Sequence, residues 1–143
     1  MPRKSRVLAF LLTSLLAAGC GGGSKTASVS GQVNFKGKPL AKASVSFTPV
    51  EGTGLAASGL TDSTGNYTLG TRSASDGAAP GKYRVAVIAR GPERPAKPGE
   101  GSGMPDEKVP GDPVIPVKYF APDSSGLTFE VKGGSNRFDI KLE

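Results

Sequence analysis

From Ser28 onward, apolar and polar residues alternate with period two, the mark of strands with one buried face. Val29, Gly31, Val33 and Phe35 fall on one face, with Ser28, Ser30, Gln32 and Asn34 on the other. Lys36-Gly37-Lys38-Pro39 reads as a turn, after which Ala43, Val45 and Phe47 alternate with Ser44, Ser46 and Thr48. A Gly-rich link leads to a short strand around Ala56 to Thr61. Asp62-Ser63-Thr64-Gly65-Asn66 is a second turn, because Gly65 and Asn66 tolerate positive φ and the Asp62 carboxylate can cap the bend. Tyr67 and Leu69 then point inward. Pro80-Gly81 opens the longest strand, Lys82 to Arg90, with Tyr83, Val85, Val87 and Ala89 on one face. Gly126 to Val131 and Asn136 to Leu142 are predicted to close the domain as a hairpin across Lys132-Gly133-Gly134-Ser135. No stretch past residue 20 shows an apolar repeat of 3.6 residues.

Seven short strands separated by turn signals predict an all-β fold, a single antiparallel β-sandwich over residues 28–143. One segment departs from the pattern. Residues 91–113 contain six prolines and five glycines and almost no large apolar residue. Proline supplies no ladder hydrogen bond and such a composition cannot build a core, so the segment is expected to be a mobile insertion. Its role is not legible from the sequence.

The first twenty residues follow a different logic. Met1 to Arg6 is short and basic, and Val7 to Ala18 is almost continuously apolar. About twelve apolar residues span about 18 Å as a helix, against roughly 30 Å of bilayer hydrocarbon. That length suits the apolar region of a signal peptide. Ala17-Ala18-Gly19-Cys20 follows, and with Leu16 it resembles the bacterial lipobox, although that motif prefers leucine where Ala17 stands. The resemblance implies a signal peptide over residues 1–19 and a diacylglycerol, with its palmitate-like chains, on Cys20. Residues 20–27 then read as a Gly-rich tether with an r.m.s. span of roughly 15 Å. The chain is thus expected to be exported and held by lipid in the cell envelope, at the outer membrane where the cell has one, since Gly21 follows the cysteine. A protein partner would have to be membrane-proximal.

Composition then removes chemistry. The chain has no histidine, which excludes imidazole acid–base catalysis, Ser-His-Asp and Cys-His sites, and histidine metal ligands. Cys20 is its one cysteine, so neither an intramolecular disulfide nor a thiolate-clustered zinc site is available. The formal charge of +6 also shrinks. Without Arg3, Lys4 and Arg6, 15 basic residues face 12 acidic ones. The signs are mixed along the chain, so no nucleic-acid footprint is visible. No loop has a calcium-ligand spacing, and Asp62, Asp76, Asp106, Asp112 and Asp123 are better read as turn and surface residues. No cofactor, metal or enzymatic activity is expected.

The order of several weak motifs carries a family resemblance. Val29-Ser30-Gly31-Gln32-Val33 followed by Gly37-Lys38-Pro39-Leu40-Ala41 resembles the opening of the carboxypeptidase regulatory-like domain. Thr61 to Tyr67 and Pro80-Gly81-Lys82-Tyr83-Arg84-Val85 are similar to its other recurring stretches. Ile115 to Tyr119 with Ser125 to Thr128 resembles small bacterial lipoproteins that carry this domain alone. The resemblance implies a prealbumin-like (transthyretin-like) sandwich of about seven strands that performs no chemistry, hence a structural or protein-interaction module. The alternative is a sandwich that binds carbohydrate or another small ligand. Such sites usually need exposed aromatic platforms, for which Tyr119 and Phe120 are the candidates. A third reading, lysine–asparagine crosslinking as in pilin-type sandwiches, would cast Lys36 or Lys38 against Asn136. Val87 stands where those domains place their glutamate proton shuttle.

Overall fold

A computed structural model of the chain describes residues 25–51 and 54–143. Its strands are β1 (Ser28–Phe35), β2 (Lys38–Pro39), β3 (Ser44–Pro49), β4 (Ala57–Leu60) and β5 (Asn66–Thr68). Then come β6 (Gly81–Ile88), β7 (Arg94–Pro95), β8 (Lys108–Val109), β9 (Leu127–Val131), β10 (Ser135–Arg137) and β11 (Ile140–Leu142). Among the described residues a single 3-10 turn, Val117–Phe120, lies against β6. The fold is all-β and sandwich-like, with no closed sheet among the described residues.

One sheet orders β4-β3-β6-β9, antiparallel throughout. The other is built around β1. Its first half pairs with β5 and β10, and its second half with β2 and β11. The alternation seen in the sequence sorts side chains as expected. Val29, Val33, Val45, Phe47, Val85 and Val87 are fully buried between the sheets. Removing each such side chain from water contributes about 1.5–3 kcal/mol. Tyr67 and Tyr83 are buried too, and each hydroxyl finds a carbonyl, Phe138 O at 2.7 Å and Ala79 O at 2.8 Å.

The end of the chain departs from the expected closing hairpin. β9 pairs with β6 in one sheet, whereas β10 and β11 run parallel to β1 in the other. The link 132–134 therefore crosses between sheets, and the sandwich is not purely antiparallel. The predicted strand Asn136 to Leu142 is also split. At the break, the Asp139 carboxylate accepts the Gln32 amide at 2.9 Å, standing in for a backbone carbonyl. Phe138 N donates to Ser30 O beside it. Gly31 sits under this irregularity, and a Cβ there would lie 1.9 Å from Phe138 O. Its place on the apolar face thus reflects close backbone approach, not core packing.

Two poles follow from the register. Ser28 pairs with Ser135, Gly81 with Val131 and Pro49 with Tyr83, so these strand ends share one pole. Ala27 and Ala78 exchange both backbone hydrogen bonds there, at 2.7 and 3.0 Å. At the other pole, Phe35 neighbours Leu142, and Ser44 lies between Leu60 and Ile88. Buried Thr61 ties that pole together, donating to Leu40 O at 2.6 Å and accepting from Ala43 N at 2.8 Å. An eight-residue strand makes the pole-to-pole distance about 26 Å.

Segment 91–113 leaves and re-enters at the second pole, where Arg90 bridges Pro113 and Gly91 N donates to Asp112 O. It contains a small sheet of its own, β7 against β8. Only Gly111 within it is buried, in keeping with a composition that cannot build a core.

Candidate functional site

Cys20, the predicted lipid-bearing residue, lies outside the described residues, as does the predicted signal peptide. The described residues begin at Lys25, and the reciprocal pairing of Ala27 with Ala78 fixes where the N-terminal segment joins the two-sheet body. Gly77 makes this junction possible. Its φ of +84° suits glycine, and a Cβ would meet Ala27 O at 2.0 Å.

Beside the junction is a cleft of about 200 Å³ whose lining includes Thr26, Leu55, Thr71, Arg72 and Asp76. The Asp76 carboxylate is turned into its own loop, where it accepts the amides of Thr71, Arg72 and Ser73 at 2.5, 3.1 and 3.1 Å. These donors, Thr71 first, hold its pKa below the ordinary aspartate value. Leu55 is 49% exposed at the cleft mouth. The arrangement offers a cation and an apolar side chain where the N-terminal segment enters, with the nearby negative charge largely committed to backbone donors.

The sequence candidates are distributed elsewhere. Tyr119 is 6% exposed and packs in the core, its hydroxyl 3.4 Å from Glu143 N, and Lys118 lies over its ring. Phe120 is half-buried with the Arg90 guanidinium 5.0 Å from its ring centroid. The two therefore do not form an exposed platform, which corrects the expectation attached to them. A 3-10 turn points Tyr119 inward, and a local sequence cannot reveal that direction. Phe129 and Phe138 stack at 4.5 Å, half-buried, with the Phe47 ring edge-on to both.

Lys36 and Lys38 sit at the second pole, whereas Asn136 pairs with Val29 near the first. Nearly the length of β1 separates the lysines from the asparagine. The Asn136 side chain instead caps the 132–135 turn through Lys132 N and O. Lys36 and Lys38 therefore have no geometry for a crosslink to Asn136.

The carboxylates are engaged one at a time. Asp62 accepts the Thr64 hydroxyl and the amides of Thr64 and Asn66, donors that lower its pKa, the hydroxyl most. Asp123 pairs with Arg84 at 2.6 Å. Arg94 binds Glu100 through both terminal nitrogens, at 2.8 and 3.1 Å, and reaches Asp112 at 3.3 Å. Asp106 is exposed. No group of three metal-type ligands gathers among the described residues. The sequence reading missed the Arg94 clamp, because nothing local pairs a charge at 94 with one at 100 or 112 inside a proline-rich segment.

Comparison with known proteins adds little to this geometry. No family model matches the chain, and no curated protein matches it. A crystal structure of a DUF3823 family protein from Parabacteroides merdae is similar at 13% identity, with a TM-score of 0.40. The likeness covers 81% of this chain and 45% of that one, so this chain spans less than half of its length.

Proposed function

We propose that this chain is an exported lipoprotein anchored through Cys20, whose body is a non-catalytic interaction module of the cell envelope. The observation that carries the reading is the leader itself: a basic start, about twelve apolar residues and Ala-Gly-Cys, ending five residues before the described body. The body is read as a prealbumin-like, carboxypeptidase regulatory-like domain. Support comes from the order of its motifs and from seven principal strands: β1, β3, β4, β5, β6, β9 and the split β10–β11. The absence of histidine from the chain supports a role without catalysis. A partner would meet the second pole, from which the 91–113 lobe leaves and to which it returns.

Intact mass spectrometry of protein extracted from membranes tests the anchor. The expected product begins at Cys20 and carries a diacylglycerol, and Cys20→Ser remains unlipidated and leaves the membrane fraction. A mature chain with a free Cys20 thiol would overturn the reading. Crosslinking in intact cells tests the module, with the expected adducts on the 91–113 lobe.

A further inference from the structure

We infer that the body pairs with a second copy of itself through the free edge of β9, joining two four-stranded sheets into one about a two-fold axis at Phe129. The inference goes beyond the envelope reading and requires neither the lipid nor a partner at the second pole.

The sheet edges of the body are not alike. Ser58 and Gly70 exchange both backbone hydrogen bonds at 2.9 Å, which closes β4 onto the chain just after β5. On the opposite side, the β10–β11 edge is broken at Phe138 and Asp139 and bears exposed Arg137, Asp139 and Lys141. Breaks and charges of this kind keep an edge from pairing with another chain. β9 has no proline, glycine or break in its five residues, and its one charge, Glu130, lies opposite Lys82 in the ladder.

Hydrogen-bond phase shows what this edge offers. Val50 N donates to Lys82 O in the register of β3 with β6, so Lys82, Arg84 and Ala86 direct their main-chain groups at β3. Tyr83 and Val85 then direct theirs at Phe129 and Leu127. The main-chain groups of Thr128 and Glu130 are left pointing away from the sheet. Both residues are exposed, and their main chains meet no other backbone partner among the described residues.

The edge is complementary to itself. An antiparallel copy with Phe129 on the axis sets Thr128 opposite the second copy's Glu130, and Glu130 opposite its Thr128, each pair exchanging two hydrogen bonds. Centring the axis on Thr128 would leave one such pair within the strand, and centring it on Glu130 would oppose two carboxylates. On the outer face each row reads Lys82, Glu130, then Thr128 and Arg84 of the second copy, with no like charges adjacent. Arg84 keeps its ion pair with Asp123 at 2.6 Å. On the inner face Leu127 meets the second copy's Val131. The half-buried Phe129 ring meets its own counterpart in a non-hydrogen-bonded pair, the closer kind, which covers the open flank of the Phe129–Phe138 stack.

Disulfide trapping tests the register. Full-length Thr128→Cys and Glu130→Cys chains carrying different tags are co-expressed, and their membranes are oxidised with copper phenanthroline. Positions 128 and 130 of two copies lie about 5.5 Å apart between Cα atoms, within disulfide reach, whereas like positions lie about 8 Å apart, beyond it. Mixed disulfides should therefore exceed either like pair by at least about five-fold. A disulfide dimer of the wild type, whose one cysteine is Cys20, would expose a free thiol and overturn the anchor, while the excess of mixed over like pairs still decides the inference. Sedimentation equilibrium of the detergent-solubilised full chain should give two copies per particle. Thr128→Pro should give one with an unchanged far-UV spectrum, because the N–H it removes faces away from β6. Should that variant fail to fold, Glu130→Lys decides: it sets three cations in each row and should weaken association about ten-fold. Mixed disulfides no more frequent than like ones, a wild type with one copy per particle, or a dimer that survives folded Thr128→Pro or Glu130→Lys would overturn the inference.

Discussion

The two-sheet body and the 91–113 lobe are stabilised by opposite means, although one continuous chain makes both. In the body, apolar side chains close against each other, and buried polar groups such as Thr61 and Tyr67 are satisfied by backbone partners. In the lobe, almost nothing is buried, and shape comes from Arg94 grasping Glu100 and Asp112 and from Glu107 accepting the Ser102 amide and hydroxyl. Exposed ion pairs contribute little stability and are screened by salt. The lobe should therefore open while the body stays folded.

The sharpest way to break the body is Gly31→Ala. A methyl group 1.9 Å from Phe138 O and 3.0 Å from the Tyr67 ring must push β1 away from the last strand. We expect a loss of about 3 kcal/mol or more, read as a lowered urea midpoint. Thr61→Val follows. It keeps the shape but leaves the Ala43 amide and Leu40 carbonyl without their partner in a buried site. The expected loss is about 2–3 kcal/mol by the same denaturation experiment. Equal stability in Gly31→Ala would mean that close packing does not govern the body, and in Thr61→Val that its buried hydrogen bonds do not.

These two residues also mark how far the sequence could be read. The period-two pattern placed Val29, Val33, Val45 and Val87 inward, and turn chemistry placed Asp62 under its own bend. Both signals are local. Gly31 followed the same alternation, but its reason lies at Phe138, more than one hundred residues away. The path of β10 and β11 to β1 is equally non-local, because alternation says which face is buried and not which strand is adjacent. The burial of Tyr119 depends on a short 3-10 turn that no periodicity announces. At the lobe, composition rightly foretold the lack of a core and was silent about the Arg94 clamp. The candidate site at the tether junction was legible only in its sequence position, since the Ala27–Ala78 pairing that builds it arises from tertiary contact.

Replacing residues 92–111 by a short Gly-Ser link tests the comparison from the lobe's side. Gly91 and Asp112 already meet through a backbone hydrogen bond, and loop closure changes slowly with length. Global stability should move by less than about 1 kcal/mol in either direction. A larger loss would show that the lobe braces the body after all.

The smallest effect should come from acid, and it should be confined to the lobe. Arg94 and the Lys97 amide hold the Glu100 carboxyl at about 2, below its ordinary value of 4.5. A folded value below the unfolded one means that the ionised carboxylate stabilises the hairpin. That stabilisation is complete above the ordinary value and is lost as pH falls toward about 2. Amide resonances of residues 94–112 should therefore shift between pH about 4.5 and about 2, as the clamp releases. Glu100→Gln should reproduce the released spectrum at neutral pH, because a neutral amide cannot pair with both guanidinium nitrogens as a carboxylate does. Val45 and Val87, far from any such charge, should keep their slow amide exchange in both cases. Loss of their protection along with the lobe's would mean that the two regions unfold as one, and the contrast between them would disappear.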